Sequence, residues 1–239
     1  MKNNSSLYFD IWRKKNFKNL IHAYIETAVK YPTKIEMRLG FGYALDKYVE
    51  GGRGSYEGTL KQWYSAYTLG RELGVFYSEN ENGGYDLSPM ANDVLLGKIT
   101  SEDYLVNYFL NFNQLINGVI VHPLKEILMC IADNNGKITI HDVKEIKNFN
   151  LEVKLTKNKN QIANILLHRL VEANILDKNA NEYSLQKYLF SELFQCINTY
   201  EGTSLEFEKM SHQEYVLMLC KESLLVPVIY NYGQKSRNI

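Results

Sequence analysis

Four prolines in 239 residues leave few enforced helix stops, and three cysteines are too few for a disulfide framework. Cys130, Cys196 and Cys220 are odd in number, far apart and without a CxxC pair. That excludes both a disulfide-stapled scaffold and a zinc ribbon. There is no net charge, the formal balance being +0 at pH 7, which argues against a generic polyanion binder. No uninterrupted apolar run reaches membrane-spanning length. The opening "MKNNSSLYFDIWRKKNFKN" lacks the apolar stretch of a secretory signal. These absences lead to the expectation of a reduced, cytoplasmic protein with no membrane partner.

What is present is apolar and aromatic. At 45% hydrophobic the chain can bury a sizeable core, and its 18 tyrosines suit cores, interfaces and base-stacking surfaces alike. The charge is unevenly placed. Residues 1–62 hold eleven Lys+Arg against six Asp+Glu, a surplus of +5, and the remaining 177 residues hold sixteen against twenty-one. A positive end on a neutral chain is what a localised phosphate contact needs.

Apolar spacing predicts helices over 8–31, 34–49, 59–73, 99–116 and 122–136, the first stopped at Pro32. Between the second and third lies "EGGRGSYEGT" (50–59), a glycine-rich loop around Arg53. It lacks the spacing and the Lys-Ser/Thr ending of a P-loop, so nucleotide binding is rejected. After Gly74, "VFYSENENGGYDL" reads as a hairpin turning at Asn82-Gly83, a pair that tolerates positive φ at both positions. Ser88-Pro89 then suits a helix N-cap and first turn. The order returns as a helix from His122-Pro123, a short strand and helix in "KITIHDVKEI", a helix from Thr156, and a hairpin around "DKNANE". Residues 189–239 read as two helices and a polar tail, "NYGQKSRNI", whose abrupt end suggests a fragment. The expected fold is mainly α with small β-hairpins (α+β). Its two tandem winged-helix-like domains span 1–117 and 118–239, the second carrying a helical C-terminal extension.

A winged helix offers its third helix to the major groove. In the second unit that helix begins with Thr156, Lys157, Asn158, Lys159, Asn160 and Gln161, and places Asn164 and His168 one and two turns on. Asn and Gln suit adenine, and Lys suits guanine. In the first unit the equivalent residues are Lys61, Gln62, Ser65 and Thr68, aided by Arg53, Ser55 and Tyr56 of the loop. Its hairpin carries Glu79, Glu81 and Asp86, which repel phosphate. Lys14, Lys15 and Lys18, with Arg13, form a basic cluster suited to backbone contacts. No catalytic or metal-ligating residue is assigned. Asp142 with Glu152-Val153-Lys154 fits the spacing of a Mg²⁺ nuclease loosely, but Asp142 opens a helix and the second segment is no buried strand.

The succession "EGGRGSYEG", "LGVFYSENENGGYDLSPMANDVLLG" and "HPLKEILMCIADNNGKITIHDVKEI" resembles the DNA-recognition region of type IIS restriction and nicking endonucleases. The shared features are the basic glycine- and tyrosine-containing loop and a helix start at Leu87, Ser88, Ala91 and Leu95. A second helix start follows at His122-Pro123-Leu124, and then Gly136, Ile138, Thr139, Asp142 and Val143. The resemblance covers roughly 50–170. It implies two winged-helix-like subdomains reading an asymmetric double-stranded DNA site, with cleavage by a nuclease domain or subunit outside this chain. Mg²⁺ would serve only that external nuclease, and no cofactor is expected here. A transcriptional regulator, a replication initiator or a winged-helix protein-interaction scaffold remain the alternatives.

Overall fold

Phe17, Leu20, Ile21, Tyr24, Ile25 and Ala28 recur at helical spacing and are all buried, which forms α1 (Phe17–Lys30). The computed structural model describes residues 5–13, 15–52, 60–77, 79–151 and 156–221, giving the backbone alone for 60–62 and 156–160. The helix expected from residue 8 starts only at Phe17. Upstream, Leu7 and Phe9 are buried while Tyr8 between them is 46% exposed, the two-residue period of extended chain. Arg13 and Asn16 have φ of 56° and 58°, left-handed values that break any helix there.

Thr33 caps α2 (Lys34–Tyr48) in a box with Glu36 and bridges to Gly84. Next comes α3 (Leu60–Glu72), ended by Gly74 at φ 68° with the Val75 N–H donating to the Gly70 carbonyl. The hairpin that follows is held by a Phe76–Leu87 bridge. Its turn differs from the expected two-residue form. Only Gly83 has positive φ (73°), and Asn80 organises the loop, its Oδ1 accepting from the N–H groups of Asn82 (3.1 Å) and Gly84 (2.9 Å).

The same order recurs. α6 (Pro123–Asp133) leads to β3 (Lys137–Thr139), α7 (Ile140–Glu145), α8 (Thr156–Glu172), β4 (Leu176–Asn179) and β5 (Glu182–Leu185). The three strands form one antiparallel sheet, ordered β3-β5-β4, with Ile138 opposite Tyr183 and Leu176 opposite Leu185. Local chemistry repeats too. Thr139 caps α7 in a box with Asp142, as Thr33 does with Glu36. α8 ends at Asn174 (φ 55°), with the Ile175 N–H donating to Leu170 O, as Val75 does to Gly70. Replacing Thr139 or Thr33 by alanine is expected to lower stability by ~1 kcal/mol each, read as a shift in urea midpoint.

Between the two runs lie α4 (Pro89–Leu95), capped by Ser88 as expected, and α5 (Ser101–Asn111). α5 is shorter than the expected 99–116 helix. Residues 114–116 are instead β1 (Gln114–Ile116), paired with β2 (Val119–Val121). The division expected between residues 117 and 118 falls on the turn of this hairpin. α5 is buried along nearly its whole length. Its asparagines bind the end of the described chain, Asn107 Nδ2 donating to Leu219 O (2.9 Å) and Asn111 Nδ2 to Lys221 O (3.1 Å). Among the described residues three short helices follow β5 where two were expected: α9 (Phe190–Cys196), α10 (Ser204–Lys209) and α11 (His212–Leu219). The expected polar tail lies outside the described residues.

One ion pair joins the two runs. Arg169 of α8 is fully buried, packs over the rings of Phe17 (4.2 Å) and Phe9 (5.0 Å), and pairs with Glu72 of α3. It also donates to the Asp10 carbonyl (2.9 Å), while the other Glu72 oxygen accepts the Asp10 N–H (2.8 Å). Burial pushes the Asp10 carboxyl up to about 6. Glu172, at the end of α8 as Glu72 is at the end of α3, accepts the Lys18 N–H at the uncapped start of α1 (2.9 Å).

His122 caps α6 through Nδ1, and its Nε2–H donates to the Leu110 carbonyl at 3.0 Å. Burial lowers its pKa to about 4. The folded chain keeps the ring neutral down to about pH 4 while the unfolded chain protonates it near 6.5. The unfolded state therefore binds the extra proton in that window, and stability falls as pH falls through it, by ~3 kcal/mol for this ring alone. His212 acts in the same direction, and Asp10 opposes both between about 4 and 6. His122→Asn keeps a cap and removes the titration. Its urea stability is expected to lie below wild type at pH 7.5 and to close on it by pH 4.5; a constant gap would contradict this.

Candidate nucleic-acid interface

α8 buries Ile162, Ala163, Ile165, Leu166, Leu167, Arg169 and Leu170, which leaves a narrow strip facing out. That strip holds Gln161 and His168, both half-buried, and Asn164, which is exposed. Their spacing of three and four residues puts them on one helical face. The backbone of 156–160 is helical and leads into this strip, while the side chains of Thr156, Lys157, Asn158, Lys159 and Asn160 lie outside the described residues.

Two lysines flank the strip. Burial lowers the His168 pKa, and the charges of Lys178 and Lys15 lower it further. Lys178 lies on β4, with its ammonium 5.5 Å from the Tyr183 ring. Among the described residues neither lysine has an ion-pair partner. α8 packs against both α1 and β4, so the helix that follows the N-terminal segment and the second hairpin both lie beside it. Lys178 was missed in the sequence. Its only signal there was a lysine in the turn region of a hairpin.

The other basic residues of the N-terminal third are more committed. Lys18 pairs with Glu102 at 2.8 Å, and that hydrogen bond lowers the Glu102 pKa. Arg13 donates to the Gly52 carbonyl at 2.5 Å and stacks on Trp12, so it anchors the chain where the 50–59 loop begins. Lys30 and Lys47 both bind Glu26, whose pKa falls to about 2. Lys14, Arg53, Ser55 and Tyr56 lie outside the described residues.

α3 presents a different surface. Trp63, Ala66 and Leu69 are buried, whereas Tyr64 is 66% exposed and Ser65 and Thr68 are half-buried. These last two line a cleft of about 690 Å³ with Tyr8, Arg71, Glu208 and His212. Lys61 and Gln62 sit in the helical backbone, but their side chains lie outside the described residues. The hairpin behind α3 exposes Glu79, Glu81 and Asp86. The two runs therefore share an order of elements without sharing a surface: the third helix of one presents a polar strip, and that of the other lines a cleft and is followed by an acidic hairpin.

Asp142 is the capping-box partner of Thr139, its Oδ2 accepting from the Thr139 N–H (2.7 Å) and hydroxyl (2.8 Å), and Glu152, Val153 and Lys154 lie outside the described residues. Among the described residues no cluster of three or more His, Cys, Asp or Glu is placed to hold a metal ion, and no helix is long and apolar enough to cross a membrane.

No protein-family model matches the chain, and no curated protein matches it. Among solved structures, it matches the BpuJ1 endonuclease binding domain, determined in complex with pyrene- and phenanthrene-modified DNA. The TM-score is 0.58 at 15% identity, over 92% of this chain and 94% of that one. The two share a fold.

Proposed function

We propose that the chain binds double-stranded DNA sequence-specifically, as the recognition portion or subunit of a type II, IIS-like restriction endonuclease. Cleavage then belongs to a nuclease domain or subunit outside this chain, and Mg²⁺ to that nuclease. The observation that carries this reading is the polar Gln161–Asn164–His168 strip on the outward side of α8, whose histidine feels the charges of Lys15 and Lys178. The shared fold with an endonuclease binding domain solved on DNA supports it. Each helix–strand–helix–helix–hairpin run is, in this reading, a winged-helix module. α8 is the helix that enters the major groove, Asn and Gln pair with base edges, and the two lysines hold phosphates on either side.

Selection of bound sequences from random duplexes tests it. One enriched asymmetric motif, bound by a monomer with a steep salt slope, is the expected result. A palindromic motif bound by a stable dimer would point to a transcriptional regulator instead, and no enrichment would end the reading.

His168 adds a pH signature. It is neutral near pH 7 in the free chain because burial and two lysines disfavour its cation. Phosphates brought close would favour that cation, so binding takes up a proton and affinity is expected to rise from pH 7.5 to 6. His168→Gln should flatten that rise. An unchanged pH profile in the variant would place His168 away from the phosphates.

A further inference from the structure

The cleft beside α3 is not used by the duplex reading, and its chemistry is specific. Its volume of about 690 Å³ lies within the range of roughly 300–1,000 Å³ typical of small-ligand sites and is far too small for a duplex. Tyr64 and Tyr8 line it while remaining 66% and 46% exposed. Such rings are ready platforms for stacking.

Charge in the cleft is arranged in a telling way. Glu72 is already neutralised by Arg169, and Asp10 spends one carboxylate oxygen on the Trp12 N–H. Among the described residues Asp10 has no ion-pair partner but keeps that hydrogen bond, whereas the side chains of Arg71 from α3 and Glu208 from α10 have neither an ion pair nor a hydrogen bond. They do not pair with each other, since no contact within 4 Å joins them. The guanidinium of Arg71 lies 5.7 Å from the Tyr67 ring, and its charge adds to burial in lowering the pKa of His212, which lines the same cleft. A donor fork and a carboxylate acceptor thus line one aromatic-edged space without satisfying each other.

A planar ligand with acceptors on one edge and donors on another would satisfy both. Among the bases, guanine has that pattern: O6 and N7 accept a bidentate Arg, and the N1–H and 2-amino group donate to a carboxylate. In a duplex the donor edge faces cytosine, so only an unpaired guanine qualifies. We propose that this cleft binds an unpaired guanine, with Arg71 donating to O6 and N7, Glu208 accepting from N1–H and the 2-amino group, and Tyr64 or Tyr8 stacking on the ring. The proposal rests on the nucleic-acid reading only for the source of the base, either a strand or a free guanine nucleotide.

Equilibrium dialysis of the full chain against dGMP, dAMP, dCMP and dTMP tests it. dGMP is expected to bind at least about tenfold more tightly than the other three. Arg71→Ala, Arg71→Lys and Glu208→Gln should each remove that preference with the thermal midpoint unchanged. A duplex with one bulged guanine, set against one with a bulged thymine, identifies the source. Added affinity for the guanine bulge assigns the base to a strand, and dGMP binding without it assigns a free nucleotide. Equal binding of all four nucleotides, or a dGMP preference that survives all three substitutions, would overturn the assignment. If random-duplex selection still enriches a motif in that case, the DNA reading stands and only the guanine site falls.

Discussion

Arg169→Met is expected to lower unfolding stability by ~3–5 kcal/mol, which for a chain of 239 residues is on the order of 10 °C in thermal midpoint. Methionine fills much of the space between Phe9 and Phe17, so little of this loss would be lost volume. The loss comes from the Glu72 carboxylate, left unpaired where Arg169 had met it, and from the Asp10 carbonyl without its donor. Adding Glu72→Gln removes the stranded charge and keeps an acceptor for the Asp10 N–H. The double variant should recover about half the loss. A double variant less stable than Arg169→Met alone would mean that Glu72 acts on its own, through its contact with the Asp10 N–H, and that the pair is incidental. The same substitutions should weaken DNA binding through the position of α8, because Arg169 ties that helix to α3 and to the N-terminal segment that carries Lys15.

The second large effect concerns specificity. Gln161→Ala with Asn164→Ala removes two amides from the exposed strip of α8. At ~1–3 kcal/mol per base contact, preference for the selected motif over random duplex should fall by roughly a hundredfold, with the salt slope unchanged. Lys15→Ala with Lys178→Ala should do the opposite, weakening all duplexes alike and reducing the salt slope by about two. Fluorescence anisotropy across salt separates the two outcomes. If both double variants behave alike, α8 does not read bases.

Several helix starts were legible because their signals are local. Thr139 with Asp142, His122 before Pro123 and Ser88 before Pro89 each mark a helix start by chemistry contained in four residues, and each forms as written. The Gln161, Asn164 and His168 strip was legible from helical periodicity alone. The N-terminal segment was not. In "SLYFDIW" the alternation of Leu7, Tyr8 and Phe9 is too short to outweigh the long helical pattern that follows, and the left-handed Arg13 and Asn16 carry no glycine to announce themselves. The strand of the first run is a single bridge at Thr33, below any sequence signal. Nothing in the sequence singles out Arg169, and three-dimensional packing against Phe9, Phe17 and Glu72 draws it inside. The N-terminal charge surplus was real as composition, but Glu102 from outside that segment absorbs Lys18, while Lys30 and Lys47 pair with Glu26 inside it. The cation that sequence reading passed over, Lys178, lies on a strand that packs against α8.

That Asn164 faces DNA can be measured by photo-crosslinking. A benzophenone amino acid at position 164 is to be compared with one at position 35, on the exposed face of α2. With the selected duplex, position 164 is expected to crosslink to bases inside the motif and position 35 to give none. Retained binding with no crosslink from 164, or equal crosslinking from both positions, would contradict an α8 that lies in the groove.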